Sequence, residues 1–174
     1  MTAFERQKSD ERATFERIMS ECERRVLRIA LRLLQNPQDA QDAAQEVFLR
    51  LYKNLARLDE TQGYDAWLFR VTVNVCRDIG RRRRPMALLE ELPAAQADAF
   101  HDTARAEQRD MLRRGLTFLG PKERAALVLR DVEGLSTRKV AGILGTSEAT
   151  VRAQVSTARL KLREFTQRLS RRRS

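Results

Sequence analysis

The stretch Ser136–Arg163, STRKVAGILGTSEATVRAQVSTARLKLR, decides the fold of its part of the chain because it predicts two short helices joined by a tight turn. Ser136 is a suitable N-cap for the first helix, and Gly145 follows where a left-handed residue ends one. Ser147 begins the second helix in the same way as Ser136 begins the first. Its apolar side chains recur at alternating steps of four and three, at Val151, Val155, Ala158, Leu162, Phe165 and Leu169.

The other face of this second helix is polar and basic, with Glu148, Arg152, Ser156, Arg159 and Arg163. Small residues allow the two helices to approach closely, which leaves the N-terminal turn of the second pointing outward. A recognition helix in the major groove of DNA has this arrangement. An ordinary helical hairpin with a solvated charged face is the alternative, since helix-turn-helix patterns also arise by chance.

Charge is distributed unevenly along the 174 residues, whose formal net charge is +10. Residues 1–84, 85–108 and 109–174 carry +4, −4 and +10, so two basic blocks flank an acidic connector. A basic balance of this size favours a polyanionic partner, because neutralised phosphates release condensed counterions. Nucleic acid and an anionic membrane surface are the two common partners of this kind.

The composition argues against a metal site, a disulfide framework and an enzyme. Cys22 and Cys76 are the only cysteines, and neither belongs to a CxxC motif or a Cys/His cluster. No nucleophile–base pair or glycine-rich phosphate loop is visible, so we predict no catalysis, no metal and no cofactor. The N-terminus lacks an apolar signal core and no run reaches membrane-spanning length, so we expect a cytoplasmic protein without membrane insertion.

Three amphipathic helices are predicted in the first half of the chain. The first runs from about Ser9 to Leu34, and the residues Asn36-Pro37-Gln38-Asp39 are a strong start signal for the second. The second keeps its apolar period without interruption, at Ala40, Ala43, Ala44, Val47, Phe48, Leu51 and Leu55. The third follows the loop 58–64 and is expected to bury Trp67, Leu68, Val71, Val75 and Ile79.

Residues 85–104 contain two prolines, acidic residues and no sustained period, which is typical of a linker. Helices resume after it, and Pro121 and Gly134 bound one that precedes the helix-turn-helix. The chain is therefore predicted to be all-α, with two small helical domains, 1–84 and 105–174, joined by the flexible acidic linker 85–104.

Two separate parts of the sequence are similar to one protein family. The run DAQDAAQEVFLRLY (39–52) and the run WLFRVTVNVCRDIGRRRR (67–84) resemble region 2 of the extracytoplasmic-function (ECF) sigma factors of bacteria. The run LGPKERAALVLRDVEGLSTRKVAGILGTSEATVRAQVSTARLKLR (119–163) resembles their region 4. The parts occur in the family's order, with a linker of suitable length between them. This resemblance implies a promoter-specificity subunit rather than an enzyme.

The resemblance implies that the second helix binds core RNA polymerase. The residues that match the family's contact with the coiled coil of the largest subunit are Asp42, Gln45, Glu46, Leu49 and Lys53. A polar face around an exposed leucine suits an interface of moderate size, and a solvated face is the alternative. The resemblance also implies contact with the polymerase flap, binding of promoter DNA and restraint by an anti-sigma factor.

The third helix and the preceding loop correspond to the family's reader of the −10 promoter element, which captures a flipped base. The matching residues are Tyr64, Trp67, Arg70, Asn74, Arg77, Arg81 and Arg82. Aromatic rings suit base stacking and cations suit the DNA backbone. Trp67 also heads the buried stripe, so core packing is favoured over stacking for it. For the run Arg81–Arg84, phosphate binding is favoured over an interaction with the helix C-terminus.

Region 4 of the family places its recognition helix in the major groove of the −35 element. The residues implied here are Ser147, Glu148, Thr150, Arg152, Ala153, Gln154, Ser156, Thr157 and Arg159. This chain departs from the family pattern, because Gln154 and Thr157 replace two common arginines. Arg152 can bind a guanine through two hydrogen bonds and Gln154 can pair with adenine, so we expect an unusual −35 sequence or a weaker contact.

Competing hypotheses remain open from the sequence. One is a stand-alone helix-turn-helix regulator that reads symmetric half-sites without polymerase, and another is a nonspecific interaction or RNA-binding module. The part that resembles the −10 reader favours a sigma factor, since a simple repressor does not need it. The acidic residues of the connector fit either the RNA path through polymerase or a solvated tether: Glu90, Glu91, Asp98, Asp102 and Glu107.

Overall fold

The computed structural model describes residues 3–58, 63–83 and 103–173, and all regular secondary structure in these ranges is helical. Within them, seven α-helices follow one another: α1 (Ala3–Leu34), α2 (Pro37–Asn54), α3 (Asp65–Arg83), α4 (Thr103–Thr117), α5 (Pro121–Leu127), α6 (Thr137–Leu144) and α7 (Glu148–Arg173). A 3₁₀ turn at Leu55–Arg57 extends α2, and a π-helical turn at Val128–Val132 extends α5. The all-α prediction is confirmed.

Helices α1, α2 and α3 pack together as one bundle. Every predicted apolar position of α2, from Ala40 to Leu55, is buried. Asn36 caps this helix as expected, because its Oδ1 accepts a hydrogen bond at 3.0 Å from the backbone N–H of Asp39. Helix α1 begins at Ala3, earlier than the predicted start near Ser9. Residues 3–8 contain no glycine or proline, so nothing in this segment opposes a helix.

The helix-turn-helix has the caps that its sequence predicts. Ser136 Oγ and Ser147 Oγ each accept a hydrogen bond from the backbone N–H three residues later, at 3.3 and 3.1 Å. Gly145 ends α6 with φ at 63°, a left-handed conformation that a Cβ atom would strain. Helix α7 buries the start of its predicted stripe almost completely, at Val151, Val155 and Ala158.

The end of α5 differs from the continuous α-helix that the sequence predicts up to Gly134. The backbone widens into the π-helical turn, in which the N–H of Glu133 donates to the carbonyl of Val128 at 3.0 Å. Gly134 then adopts φ of 70°, as expected for a helix C-terminus. This widened turn places Asp131 against α7 and Glu133 against α1, and each carboxylate meets arginine there.

The N-terminal and C-terminal helices also pack directly on each other. One cluster of buried side chains combines Ile29 of α1 and Phe69 and Val73 of α3 with apolar residues of α4 to α7. Helix α3 lies on α6, while α1 approaches α5 and the π-helical turn. The apolar period predicted the buried face of α2 but only part of that of α3, where Phe69 and Val73 are buried outside the predicted stripe and Trp67, Val71 and Ile79 are only half-buried. A period does not specify which other helix covers a face.

Candidate functional site

The solvent-facing side of α7 carries the residues that the sequence associates with the −35 element. These side chains are exposed: Ser147, Glu148, Thr150, Arg152, Ala153, Ser156, Thr157 and Arg159. Gln154 is half-buried. Nη1 of Arg152 lies 3.4 Å from Oε2 of Glu148, and such an exposed pair contributes little stability in water. The Arg152 guanidinium can therefore exchange this carboxylate for a base edge or a phosphate.

Arg159 is oriented by a neighbouring carboxylate. Its Nε and Nη2 donate to both oxygens of Asp131, at 2.8 and 2.9 Å, in a bidentate arrangement. These hydrogen bonds raise the pKa of Arg159 above its ordinary value. A second pair, Lys161 Nζ with Glu123 at 2.8 Å, links α7 to α5. The recognition helix is thus fixed by two ion pairs that sequence reasoning missed, because their partners are 28 and 38 positions apart.

Helix α3 presents a row of cationic and amide side chains. The predicted −10 residues that are exposed are Arg70, Asn74, Arg77, Arg81 and Arg82. Tyr64 and Trp67 are partly buried and pack against the core of α1, α2 and α3. Arg83 forms a 2.9 Å ion pair with Asp39, whose own pKa is raised by burial while the arginine opposes that shift. Residues 84–102, which include Arg84 and most of the predicted linker 85–104, lie outside the described residues.

The outer face of α2 combines polar residues with an apolar centre. Four of the predicted polymerase-binding residues are exposed: Asp42, Gln45, Leu49 and Lys53. Glu46 is half-buried and pairs with Arg50 at 2.7 Å. Tyr52 was not among the residues predicted for this face. It lies one turn beyond Leu49, is 55% exposed and packs edge-on against Phe15. Its i+3 spacing from an exposed leucine is the signal that could have revealed it.

The two candidate DNA-reading faces meet across a cleft of about 370 Å³. Arg77 of α3 lines it from one side, and Thr150 and Gln154 of α7 line it from the other. The Oε1 atom of Gln154 is buried without a hydrogen-bond partner. Nearby, Nη2 of Arg70 lies 3.5 Å from the carbonyl of Gly142 in α6. Residues assigned to two different promoter elements are thus adjacent in this structure.

Neither cysteine offers a reactive thiol. Cys76 is buried, which raises its pKa to about 12, and burial also raises the pKa of the half-buried Cys22. Within the described parts of the chain, no three His, Cys, Asp or Glu residues are grouped closely enough to hold a metal ion. No helix in those ranges has the length and apolarity that crossing a bilayer requires.

Comparison with known families places both halves of the chain in one family. The sigma-70 region 2 family matches residues 18–85, and the sigma-70 region 4 family matches residues 109–162. The chain is 35% identical over 150 residues to the ECF RNA polymerase sigma factor SigE of Mycolicibacterium smegmatis, covering 81% of this chain and 57% of that protein. It is 36% identical over 142 residues to the RNA polymerase sigma-E factor of Streptomyces avermitilis, covering 80% and 77%.

Among solved structures, the fold is similar to that of the sigma factor RpoE from Bartonella quintana, which was solved with the anti-sigma factor NepR. The TM-score is 0.73 at 21% sequence identity, with coverage of 88% of this chain and 97% of that one. The chain therefore belongs to the sigma-70 family of RNA polymerase sigma factors. Within that family it is an ECF sigma factor, and its function is to direct promoter-specific transcription.

Proposed function

We propose that this sigma factor reads two promoter elements with two regions of its own. Residues 1–84 would bind core polymerase and read the −10 element, 85–104 would link the regions, and 105–174 would read the −35 element. The observation that carries this proposal is the presence in one chain of both family matches, at 18–85 and 109–162. A stand-alone helix-turn-helix regulator would need only the second of them.

The outer face of α2 is proposed to dock on the coiled coil of the largest polymerase subunit. Leu49 and Tyr52, 47% and 55% exposed, supply an apolar centre. Asp42, Gln45 and Lys53 surround it with exposed polar groups. An apolar centre with a polar rim is the composition of a specific but separable protein interface. Contact with the polymerase flap is assigned to the second region by its resemblance to region 4.

The exposed face of α3 is proposed to bind the −10 element. Arg70, Arg77, Arg81 and Arg82 offer a line of cations for the DNA backbone. Asn74 is exposed among them and presents both a donor and an acceptor to a base edge. Tyr64 directly precedes α3 and is partly buried like Trp67, and it is proposed to stack on an unpaired base through the part of its ring that remains exposed. Partial burial of Trp67 in the core supports a structural role for that ring.

The start of α7 is proposed to enter the major groove of the −35 element. Arg152 is exposed there, and Gln154, Ser156 and Thr157 extend the reading face with neutral polar groups. These neutral residues suit contacts with adenine edges, phosphates and thymine methyl groups better than with guanine. The proposal therefore predicts that guanine selection depends mainly on Arg152.

Three further assignments follow from membership in this family. The chain is proposed to act as a binding subunit without catalysing a reaction, in the cytoplasm where bacterial polymerase works. An anti-sigma factor is proposed as its binding partner, because the structurally similar RpoE was solved in complex with the anti-sigma factor NepR. None of the residues described here identifies that partner.

Transcription in vitro tests the proposal most directly. The purified chain is combined with core RNA polymerase and a library of genomic promoter fragments, and transcript start sites are mapped. We expect a shared pair of sequence elements upstream of the starts. Protection of symmetric half-sites by the chain alone, with no polymerase-dependent transcripts, would instead establish a stand-alone regulator.

The α2 contact is tested with the double variant Asp42→Ala, Gln45→Ala. Both side chains are exposed, so the fold should persist while association with core polymerase weakens by about tenfold, since one or two polar interface contacts are lost. The matched control is Asp10→Ala with Gln167→Ala, which removes the same two side-chain types from exposed positions on α1 and α7. Equal co-purification of both variants with polymerase would reject this docking face.

A further inference from the structure

We propose that Asp131 is a positioning residue for binding at the −35 element, because it orients the Arg159 guanidinium toward a DNA phosphate before DNA arrives. This role rests on the proposed function for the placement of α7 in the major groove. Asp131 was not among the residues predicted for either promoter element. Three observations carry the role: the geometry of the ion pair, its place on α7 and its exposure to solvent.

The ion pair holds the Arg159 guanidinium side-on. Nε and Nη2 of Arg159 donate to Oδ2 and Oδ1 of Asp131, at 2.8 and 2.9 Å. Of the five N–H donors of a guanidinium, this contact leaves three that Asp131 does not engage. Two parallel hydrogen bonds fix the plane of the group as well as its position. The end that carries the other three donors therefore has a defined direction.

Arg159 lies on the same flank of α7 as Arg152, two helical turns further from the N-terminus of the helix. At about 1.5 Å per residue, the two positions are about 10 Å apart along the axis. The first turns of a recognition helix contact base edges, which is the role proposed for Arg152. The major groove is about 12 Å wide and a helix with its side chains about 10–12 Å across, so flank residues lie against the phosphates of the groove wall.

The pair is too exposed to be explained by stability alone. The Arg159 side chain is 59% exposed and that of Asp131 is 25% exposed. Ion pairs at such sites contribute little to the free energy of unfolding. Asp131 reaches α7 only through the π-helical turn Val128–Val132, and turns of this kind are frequent at functional sites. A fixed direction for Arg159 is the property that this arrangement does supply.

The negative charge of Asp131 separates positioning from simple electrostatics. A carboxylate repels a nearby phosphate, so electrostatics alone predicts that removal of this charge strengthens DNA binding. Positioning predicts the opposite, because an Arg159 side chain that rotates freely must be ordered when DNA binds. Ordering a side chain of this length lowers affinity by about two- to tenfold. The sign of the change in affinity thus distinguishes the two effects.

Promoter binding by the holoenzyme, reconstituted from core polymerase and the full-length chain, tests the role with Asp131→Asn. Asparagine has the same shape, but only its Oδ1 can accept, so one of the two hydrogen bonds is lost. Affinity for a fragment that carries a mapped promoter should fall by about two- to tenfold, and Asp131→Glu should restore part of it. Arg159→Lys keeps the charge but cannot be held side-on, so it should weaken binding to a similar degree.

The matched control is Asp110→Asn on α4. It removes the carboxylate from another exposed aspartate–arginine pair, in which Nη2 of Arg113 lies 3.0 Å from Oδ1 of Asp110. This variant should bind the promoter like the parent. Circular dichroism confirms that each variant is folded. If Asp131→Asn loses its helical signal, Arg159→Lys decides instead, because it leaves the π-helical turn unaltered, and parent-like binding by it would overturn the role.

The same substitution in an Arg159→Ala background shows how Asp131 acts. With no guanidinium to orient, Asp131→Asn should leave affinity unchanged or increase it. Arg159→Ala by itself should make the slope of log affinity against log salt shallower by about 0.9, the effect of one lost phosphate contact. An Asp131→Asn variant that binds at least as tightly as the parent would overturn the role. So would equal weakening in both backgrounds, or a slope that Arg159→Ala leaves unchanged.

Titration of the full-length chain with a random-sequence duplex separates failure of this role from failure of the proposed function. Phosphates are the same in every sequence, so the same order of affinities is expected there. Normal initiation by a holoenzyme in which Asp131→Asn keeps the parent's affinity leaves the function intact and removes the role. If the parent initiates at no promoter, the proposed function fails, and the duplex titration alone decides whether Asp131 orients Arg159 toward phosphate.

Discussion

The arginines of this chain differ in how strongly their guanidinium groups are already engaged by other protein groups. The sequence alone does not reveal this difference. Arg124 is half-buried and donates to the carbonyls of Leu33 and Leu119, and burial lowers its pKa. Arg159 is held by Asp131 through two hydrogen bonds. Among the residues that the structure describes, Arg152 pairs with Glu148 on its own helix, and solvent screens this exposed pair. The guanidinium group is therefore least available for a new partner in Arg124, more available in Arg159 and most available in Arg152.

Arg152→Ala should weaken promoter-specific transcription and relax preference at one −35 position. A bidentate contact to guanine contributes about 1–3 kcal/mol of discrimination, while loss of an exposed ion pair with Glu148 changes stability little. The measurement is transcription from a panel of promoters with single −35 substitutions. Arg163→Ala, an exposed arginine three turns further along α7, is the control and should retain the parent's preferences. A parent-like response of Arg152→Ala across the panel would refute the assignment.

Glu123 gives a pH-dependent prediction. The hydrogen bond from Lys161 lowers its pKa below the ordinary 4.5, and a second hydrogen bond comes from the Gly120 N–H. Glu123→Gln keeps an acceptor for that N–H but loses the ion pair, so the free energy of unfolding should fall by about 0.5–1 kcal/mol at neutral pH. A lowered carboxyl pKa stabilises the fold above the unfolded-state value and ceases to do so as the pH falls through the folded-state value.

Urea unfolding across a pH series measures this difference. The gap between the parent and Glu123→Gln should be fully present above pH 4.5 and should close as the solution is acidified below it. Glu164→Gln, at an exposed site on α7, should show no such change. A gap that persists unchanged in strong acid would mean that Lys161 does not stabilise the ionised form.

At the level of elements, α7 depends on close packing with its neighbours as well as on its own sequence. Its apolar side lies against α5 and α6, and its C-terminal half lies against α4. Gly115 of α4 lies close to α7, where a Cβ atom would lie 2.8 Å from Cδ2 of Leu162 and 3.4 Å from Cδ1 of Phe165. The small size of glycine, not its backbone conformation, suits this site, and a larger residue would displace the end of the Leu162 side chain.

Gly115→Ala should destabilise the chain by about 1 kcal/mol, because overpacking costs about 1–3 kcal/mol and the better helix propensity of alanine offsets about 1. Gly142→Ala is the matched control, since it makes the same change in α6 at a site with no heavy atom within 4 Å. That control should stabilise by about 0.5–1 kcal/mol. Urea midpoints that move in the same direction for both variants would contradict the close approach of α4 and α7.

For the molecule as a whole, the shared apolar cluster makes the two halves interdependent. If the C-terminal helices separated from the N-terminal ones, the apolar side chains of Ile29, Phe69 and Val73 would be exposed to water. Glu133 would also lose its ion pairs with Arg25 and Arg32. The stability of each half in the free protein therefore includes a contribution from the other. A partner that separated the two halves would have to replace these contacts with its own.

Cooperative unfolding should report this interdependence. Trp67 is the only tryptophan and lies in the N-terminal bundle, whereas far-UV circular dichroism follows all helices. Urea transitions monitored by the two signals should coincide in the parent, as expected for one cooperative unit, and should separate in Glu133→Lys. Transitions that already differ in the parent would show that the halves unfold independently.

Much of this protein follows from sequence alone, because the relevant interactions lie within one or two helical turns. The caps at Asn36, Ser136 and Ser147 and the left-handed Gly145 are local, and so is the apolar period that identifies the buried face of α2. Resemblance of two ordered parts of the chain to one family indicated the function. The exposure of Leu49 and Arg152 also follows from helical position.

Only the tertiary structure decided which buried faces meet and which charges pair across the chain. Phe69 and Val73 lie outside the buried stripe predicted for α3, and they are buried because the C-terminal helices cover them. The π-helical turn, with Asp131 on Arg159 and Glu133 on Arg25, is equally unpredictable from periodicity. These features depend on the relative orientation of whole helices, which is set by the sum of many distant contacts and not by the spacing of residues along any one helix.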